Sequence, residues 1–465
     1  PGERPVEFRV LGYTPDPFAP GDIIALAHFQ SYASNHNWKH EILRASAIQE
    51  LGEERGRELA PALTFHGPYM ALPGFHDPSE GIPGNLESPS TSTHGKYEPE
   101  YQIHAALLRA DLLIEQISGL HGNQIHSNFW IISGEHSASG KPILANDYHM
   151  PFLLPSLWYE LHLVGDGTDA VGITLPGYPT IIAGHNRNIA WGATTTGADT
   201  QDLFLERLNP DNGNQYLYKG DYHSFETIEE EIGYKSEGEL RTEKLTVRIS
   251  RHGPIINSIT ETPLDDRSPL AFQSVAGAAG GQISFCMQIF RASNWQEFKA
   301  ALALVKTPVW NWGYADREGN IGLKVNGSIP IRSSGNGLEP VPGWSGDHEW
   351  EGTIPFEELP ELLNPATGYI VSANNEILDP SYPHSIFGSA FALPYRAIRI
   401  EELLSGKKRM TGQSMQDIQS DTHSRFGLTL SRQILRAVAR SGSDDERITG
   451  LTKYLSAWDG TTGVD

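Results

Sequence analysis

After Ser127 the chain breaks into short runs of β-branched and aromatic residues set between turn residues, and helical periodicity returns only later. Residues 129–132, 170–174, 180–183 and 244–250 read as strands, while 295–305, 395–404, 414–418, 428–439 and 447–458 read as helices. Strands flanked by helices must bury one face against the other, which predicts a layered α/β or α+β domain. Ahead of Ser127 the texture differs. Asp22 is placed to cap a helix that starts the stretch 22–59, with a second amphipathic series over 38–51. Residues 74–96 are dominated by Gly, Pro, Ser and Thr and read as an exposed linker, and one more helix over about 99–120 leads into Gly122-Asn123-Gln124-Ile125-His126-Ser127. No internal repeat is present. At 465 residues the chain is longer than the roughly 250–300 at which single cores stop growing, so a large layered domain or several domains are required.

Charge and composition remove several functions. With 35 basic against 57 acidic residues the net charge is −22, which disfavours phosphate backbones and anionic lipid surfaces and promotes solubility. Cys286 is the only cysteine, so neither an internal disulfide nor a cysteine metal site can form. No apolar run approaches the roughly 20 residues of a membrane span, and no signal peptide stands at the start. The chain opens at Pro1 without an initiator Met and closes at Asp465 just after a helical stretch, so it reads as an internal piece of a longer precursor.

Common hydrolase signatures are missing: there is no G-x-S-x-G elbow, no H-E-x-x-H zinc helix, no P-loop and no G-x-G-x-x-G. His40-Glu41 and His348-Glu349 lack a second histidine. What remains is an ordered series: Ser127-Asn128-Phe129-Trp130, Ser139-Gly140-Lys141-Pro142, Ala145-Asn146-Asp147-Tyr148-His149, Gly184-His185-Asn186 with Ala190-Trp191-Gly192, and Asp199-Thr200-Gln201-Asp202. It continues with Asn311-Trp312-Gly313-Tyr314-Ala315-Asp316, Pro342-Gly343-Trp344, Ala373-Asn374-Asn375 and Tyr395-Arg396-Ala397. In this order and spacing the chain resembles the penicillin amidase family of N-terminal-nucleophile hydrolases, over essentially its whole length. The resemblance implies an α+β fold, a four-layer αββα sandwich with flanking helices. It also implies a precursor divided into the C-terminal part of an α-chain (1–75), a spacer (76–126) and the N-terminal part of a β-chain (127–465), the α and β chains staying associated after self-cleavage. The implied activity is hydrolysis of a linear amide, acting on carbon–nitrogen bonds other than peptide bonds, with no organic cofactor and a periplasmic or secreted location.

A serine hydroxyl is a poor nucleophile without a base, and no obvious His/Asp pair serves Ser127. Cutting the His126–Ser127 bond would free an α-amine of pKa roughly 7.7–8.0, well placed to act as that base. By resemblance, the oxyanion donors are the backbone N–H of Thr195 and the side-chain amide of Asn374, His149 helps order the nucleophile, and Arg396 stands near the site entrance. The same resemblance assigns a calcium ion to Glu41, Asp199, the Gln201 carbonyl and Asp202, oxygen ligands that suit a hard cation; a further aspartate of the family is replaced here by Ile386. Ser31, Asn35 and Ala183 stand where penicillin G acylases carry bulky acyl-pocket residues, with Met150 and Ala193 nearby, so a wider or more polar pocket is expected, suited to a group such as an aliphatic chain. That leaves an acyl-homoserine lactone acylase as the alternative within the family. His126, in place of the small residue common before the nucleophile, either slows self-cleavage or serves it as a base. The competing readings are an unprocessed, non-catalytic homologue and a conventional serine esterase.

Overall fold

The computed structural model describes residues 126–463 apart from 155, 179, 237, 260–268, 279, 378–381, 385–390 and 443–444; it also describes 6–60 except 11, 13, 15–16 and 35–36, and residues 70, 107–109 and 112. The predicted linker, nearly all of the helix over 99–120, Asn35 and Ile386 lie outside the described residues.

Two sheets form the centre. Strand β1 (His126–Ile132) lies between β2 (Ile143–His149) and a strand near the C-terminal end, Tyr369–Ser372, in a three-stranded antiparallel sheet. The second sheet has seven strands: Tyr159–Gly165, Thr168–Thr174, Ala183–His185, Ile189–Thr195, Trp310–Asp316, Ile321–Val325 and Glu361–Leu363, in that spatial order. We number the first six β3 to β8.

Strand alternation explains how the layers stack. On β1, Phe129 and Ile131 point into an apolar cluster with Ala315, Ile321, Leu323 and Ile370 between the sheets, whereas Trp130 and Ile132 point the other way. There they meet helices α1 (Tyr395–Leu404) and α2 (Gly412–Gln419) through Ala397, Ile400, Leu404, Met415 and Ile418, and the Trp130 indole donates to the Met415 sulfur at 3.1 Å. Residues 128–132 are buried throughout, so β1 reads as a continuous apolar run, as a strand covered on both faces must. On the far side, Trp191, Trp312 and Tyr314 bury against Phe285, Ile289, Trp295 and Phe298 of the helices Gln282–Ile289 and Trp295–Leu302. Helix, sheet, sheet, helix is the αββα order that the resemblance implied.

The sequence reading of the strands and helices holds with three corrections. Asp22 is not the cap: the helix runs Pro20–Ser34, and Asp22 in its first turn accepts from the Ala19 N–H at 2.6 Å. In the segment 180–183 only Ala183 joins a ladder: the Ile181 carbonyl is taken by the Trp191 indole at 2.9 Å, which leaves residues 180–182 irregular. The helix foreseen to residue 305 ends at Leu302, and turns at Ala303 and Leu304 follow.

Gly172 of β4 and Gly184 of β5 are partners in the ladder, and a Cβ on Gly184 would come within 2.2 Å of the Val171 carbonyl oxygen. Backbone cannot retreat as a flexible side chain can. Gly184→Ala is therefore expected to cost about 1–3 kcal/mol of stability or more, read as a lowered midpoint in urea unfolding; an unchanged midpoint would show that the sheet yields at this point.

Candidate active site

Ser127 sits near the start of β1, paired with Tyr148 of β2, and shares the strand face of Phe129 that looks toward the seven-stranded sheet. Asn374 follows the strand Tyr369–Ser372 that flanks β1 on the other side. It holds a left-handed backbone, with φ of 60°, which Asn tolerates better than most residues. Its side chain grips the serine at both ends: the Ser127 N–H donates to Asn374 Oδ1 at 2.8 Å, and Asn374 Nδ2 donates to Ser127 Oγ at 3.3 Å. The same Nδ2 donates to the carbonyl oxygen of Thr195 at 3.1 Å and to its hydroxyl at 2.9 Å. Ser127, Asn374 and Thr195, singled out from widely separated stretches of sequence, thus converge.

Arg396 joins them from the first turn of α1. Its Nη1 donates to the Ser127 carbonyl at 3.1 Å and to Asn128 Oδ1, and its Nη2 to the Ala373 carbonyl at 2.7 Å and to Asn374 Oδ1 at 3.0 Å. Burial lowers its pKa to about 10. His149 is placed otherwise than foreseen. It stands across from His126, so its ring lies on the Asn128 face of the strand and away from the serine side chain. Its Nε2 is 2.9 Å from Asp147 Oδ2 and 3.3 Å from Asn128 Nδ2. Burial alone would raise the Asp147 carboxyl, but hydrogen bonds from His149 and Gln419 outweigh it and hold that carboxyl below its usual range.

A cavity of about 250 Å³ opens beside Ser127, walled largely by Leu26, Phe29, Tyr148, Trp158, Leu175 and Trp310. Met150 and Ala193 line it as expected. Ser31 does not: it is buried and its hydroxyl donates to the Ala27 carbonyl at 2.7 Å, so Gln30 and Ser34 of the same helix supply the polar edge instead. Nor does Ala183; Ile182 takes its place on the wall. The aromatic lining escaped the sequence reading because Phe29, Trp158 and Trp310 come from three distant segments whose convergence only the fold creates.

Glu41, Asp199, Gln201 and Asp202 also gather, under the layers rather than at the cavity. The helix Trp38–Leu51 packs Trp38, Ile42 and Ala45 against Leu203 and Leu205, and this brings Glu41 to accept from the Leu203 N–H at 3.1 Å. A residue not foreseen stands among them: Arg332 donates to both oxygens of Asp202, at 2.7 and 2.9 Å, and lies 3.2 Å from Asp199. Among the described residues no three acidic, His or Cys side chains are gathered closely enough to hold a metal as they stand. The donor set nevertheless fits a hard cation. Three buried carboxylates face one guanidinium, and Glu41 Oε1 and Asp199 Oδ2 are buried without a hydrogen-bond partner. Burial first, then mutual repulsion among the acids, pushes the carboxyls of Glu41 and Asp199 well above the usual range.

The layers and the serine–asparagine–threonine convergence define the class as an N-terminal-nucleophile hydrolase fold of α+β type. A solved structure, thermostable penicillin G acylase from Alcaligenes faecalis, matches with a TM-score of 0.59 and 25% identity over 73% of this chain and 60% of that one. The penicillin amidase family profile matches residues 1–465, and the chain belongs to that family. Among curated relatives, acyl-homoserine lactone acylase QuiP of Pseudomonas aeruginosa is 29% identical over 91% of this chain and 48% of its own length. Penicillin G acylase of Escherichia coli is 32% identical over 74% of this chain and 40% of its own. Penicillin acylase 2 proenzyme of Pseudomonas sp. (strain SE83) is 27% identical over 98% and 55%. The chain thus spans about half the length of the curated relatives it matches.

Asn146 ties the two sheets together behind the site. Its Nδ2 donates to the Asn128 carbonyl at 2.7 Å and to the Ala193 carbonyl at 3.2 Å, and its Oδ1 accepts from the Ala193 N–H at 2.9 Å. Asn146→Ala leaves these backbone groups without their side-chain partner and should destabilise the protein by about 1–3 kcal/mol. Urea unfolding measures this, and a loss below a few tenths of a kcal/mol would show that water replaces the amide at no cost.

Proposed function

We propose that this chain is part of a self-processing amide hydrolase in which Ser127, freed at its amino end, is the nucleophile. The observation that carries this reading is the two-ended grip of Asn374 on Ser127. In the precursor, Ser127 Oγ attacks the His126 carbonyl carbon, the acyl group shifts from nitrogen to oxygen, and water hydrolyses the resulting ester. Residues 1–75 and 127–465 then belong to separate chains, with 76–126 between them as spacer. The name proenzyme carried by one relative supports such processing.

In the mature enzyme the free α-amine takes the Oγ proton as Oγ attacks the substrate carbonyl. Asn374 Nδ2 and the Thr195 N–H donate to the oxyanion, each worth roughly 3–4 kcal/mol of barrier. The proton passes to the departing amine, an acyl-enzyme remains, and water releases the acid. The cavity's apolar walls suit an apolar acyl group. Both names among the relatives, penicillin G acylase and acyl-homoserine lactone acylase, are compatible with that chemistry, and the second suits the small Ala193 on the cavity wall. By family likeness the protein acts in the periplasm or outside the cell.

Intact mass and N-terminal sequencing of the full-length protein test the reading. Wild type should yield a chain beginning at Ser127, and Ser127→Ala should stay whole. If wild type also stays whole, the mechanism is rejected and a non-catalytic homologue becomes the better account.

Glu41, Asp199, Asp202 and the Gln201 carbonyl would hold a calcium ion as a structural cation that relieves their mutual repulsion. Calcium at about 100 times its dissociation constant should then stabilise the fold by roughly 2.7 kcal/mol. Thermal unfolding with chelator and with added calcium checks this, and superimposable curves would mean that Arg332 and protons alone neutralise the cluster.

A further inference from the structure

Arg396 is half-buried, yet the four hydrogen bonds it makes among the described residues all go to neutral oxygens: the carbonyls of Ser127 and Ala373, and the side-chain oxygens of Asn128 and Asn374. Among the described residues no carboxylate lies within ion-pair distance of it. Asp147 acts on it only from further off, its own oxygens engaged by His149 and Gln419. A guanidinium drawn partly out of water ordinarily meets an acid, because desolvating an unpaired charge is costly. Arg332 shows that this protein does so elsewhere, with Asp202 and Asp199.

The residue that occupies the acid's place at Arg396 is Asn128, the immediate neighbour of the nucleophile. Its conformation is fixed from three sides. It is 8% exposed, its carbonyl accepts from Asn146 Nδ2, and its side-chain amide nitrogen packs against the His149 ring. An arginine must donate, so the Asn128 oxygen faces Arg396 and the amide NH2 faces His149.

We propose that Asn128 is a positioning residue: its neutral oxygen holds the Arg396 guanidinium in place without neutralising it, so that the full cationic field falls on the amide of Asn374. Arg396 Nη2 donates to Asn374 Oδ1, on the opposite end of that amide from the N–H that faces Ser127 Oγ. Drawing electron density toward Oδ1 makes the Nδ2–H a stronger donor, as hydrogen bonds in a chain polarise one another in a low-dielectric interior. The inference rests on the amidase reading, in which that N–H serves the oxyanion. It goes further by placing the cation's influence behind the oxyanion donor and by giving Asn128 the task of keeping the charge unpaired.

The discriminating variant is Asn128→Asp, which keeps the size and the acceptor but pairs the guanidinium with a carboxylate. Two readouts are taken: kcat and KM of the mature enzyme on a chromogenic acyl amide, and the Asn374 side-chain amide resonance in ¹⁵N-asparagine-labelled Ser127→Ala protein. The expected result is a fall in kcat of about tenfold or more with KM within about twofold, and an upfield move of the Asn374 amide proton, at unchanged or raised thermal stability. A wild-type kcat, or an unmoved resonance, overturns the proposal, because a purely geometric anchor would be served as well by aspartate. If Asn128→Asp fails to mature, the resonance in the uncut background still decides. If wild type hydrolyses no amide, the amidase reading fails on its own, while the resonance continues to report the coupling of Asn128, Arg396 and Asn374.

Discussion

Burial of β1 on both faces is the constraint from which the rest of the site follows. Phe129 and Ile131 can be covered only by the second sheet, and Trp130 and Ile132 only by the helices α1 and α2. The strand's period of two then carries through to its beginning, where Ser127 looks into the space between the sheets and Asn128 looks toward the helices. A one-residue slip would exchange the two, and would also take the Trp130 indole from the Met415 sulfur into the space that Phe129 fills. The register that the core demands is therefore also what presents the serine hydroxyl to Asn374 and the cavity.

Much of this was legible in the chain itself. The change of texture at Ser127 marked where the sheets begin, and most runs of β-branched and aromatic residues are strands. Ser127, Thr195, Asn374 and Arg396, chosen through their motifs, meet in space. His149 was misplaced because a motif gives a position along the strand, whereas the side of the strand depends on pairing: opposite His126, it falls on the Asn128 face. Ser31 was misjudged for a related reason, since helical periodicity does not say that its hydroxyl turns back to the Ala27 carbonyl. Asn128 and Asn146 stood inside quoted motifs, yet their roles need distances of 2.7 to 3.3 Å to partners that no spacing along the sequence reveals. Arg332 had no motif at all, and only the packing of the Trp38–Leu51 helix against Leu203 and Leu205 shows why a cation is needed there.

Arg332 and Arg396 illustrate opposite uses of one side chain. Around Arg332, three acids exceed the single positive charge, and their burial first, then that excess, raises the affinity of Glu41 and Asp199 for protons. Around Arg396 there is no acid in contact, and burial lowers the affinity of the guanidinium for its proton. The first arrangement binds elements together. The second leaves a charge without an acid next to Ser127, at a cost in stability that the surrounding carbonyls of Ser127 and Ala373 reduce but do not remove.

The separation of the two faces of β1 bears on how such a protein can change over evolutionary time. The cavity walls, from Leu26 and Phe29 to Trp158 and Trp310, lie on one side of the strand, and the Asn128, His149 and Asp147 supports lie on the other. Substitutions that reshape the wall are separated by a strand's thickness from Asn128, His149 and Asp147, whereas Ser127 and Thr195 line the same cavity. Under the proposed function, acyl preference could then change at the wall while the supports of Arg396 stay in place, a form of modularity inside a single core.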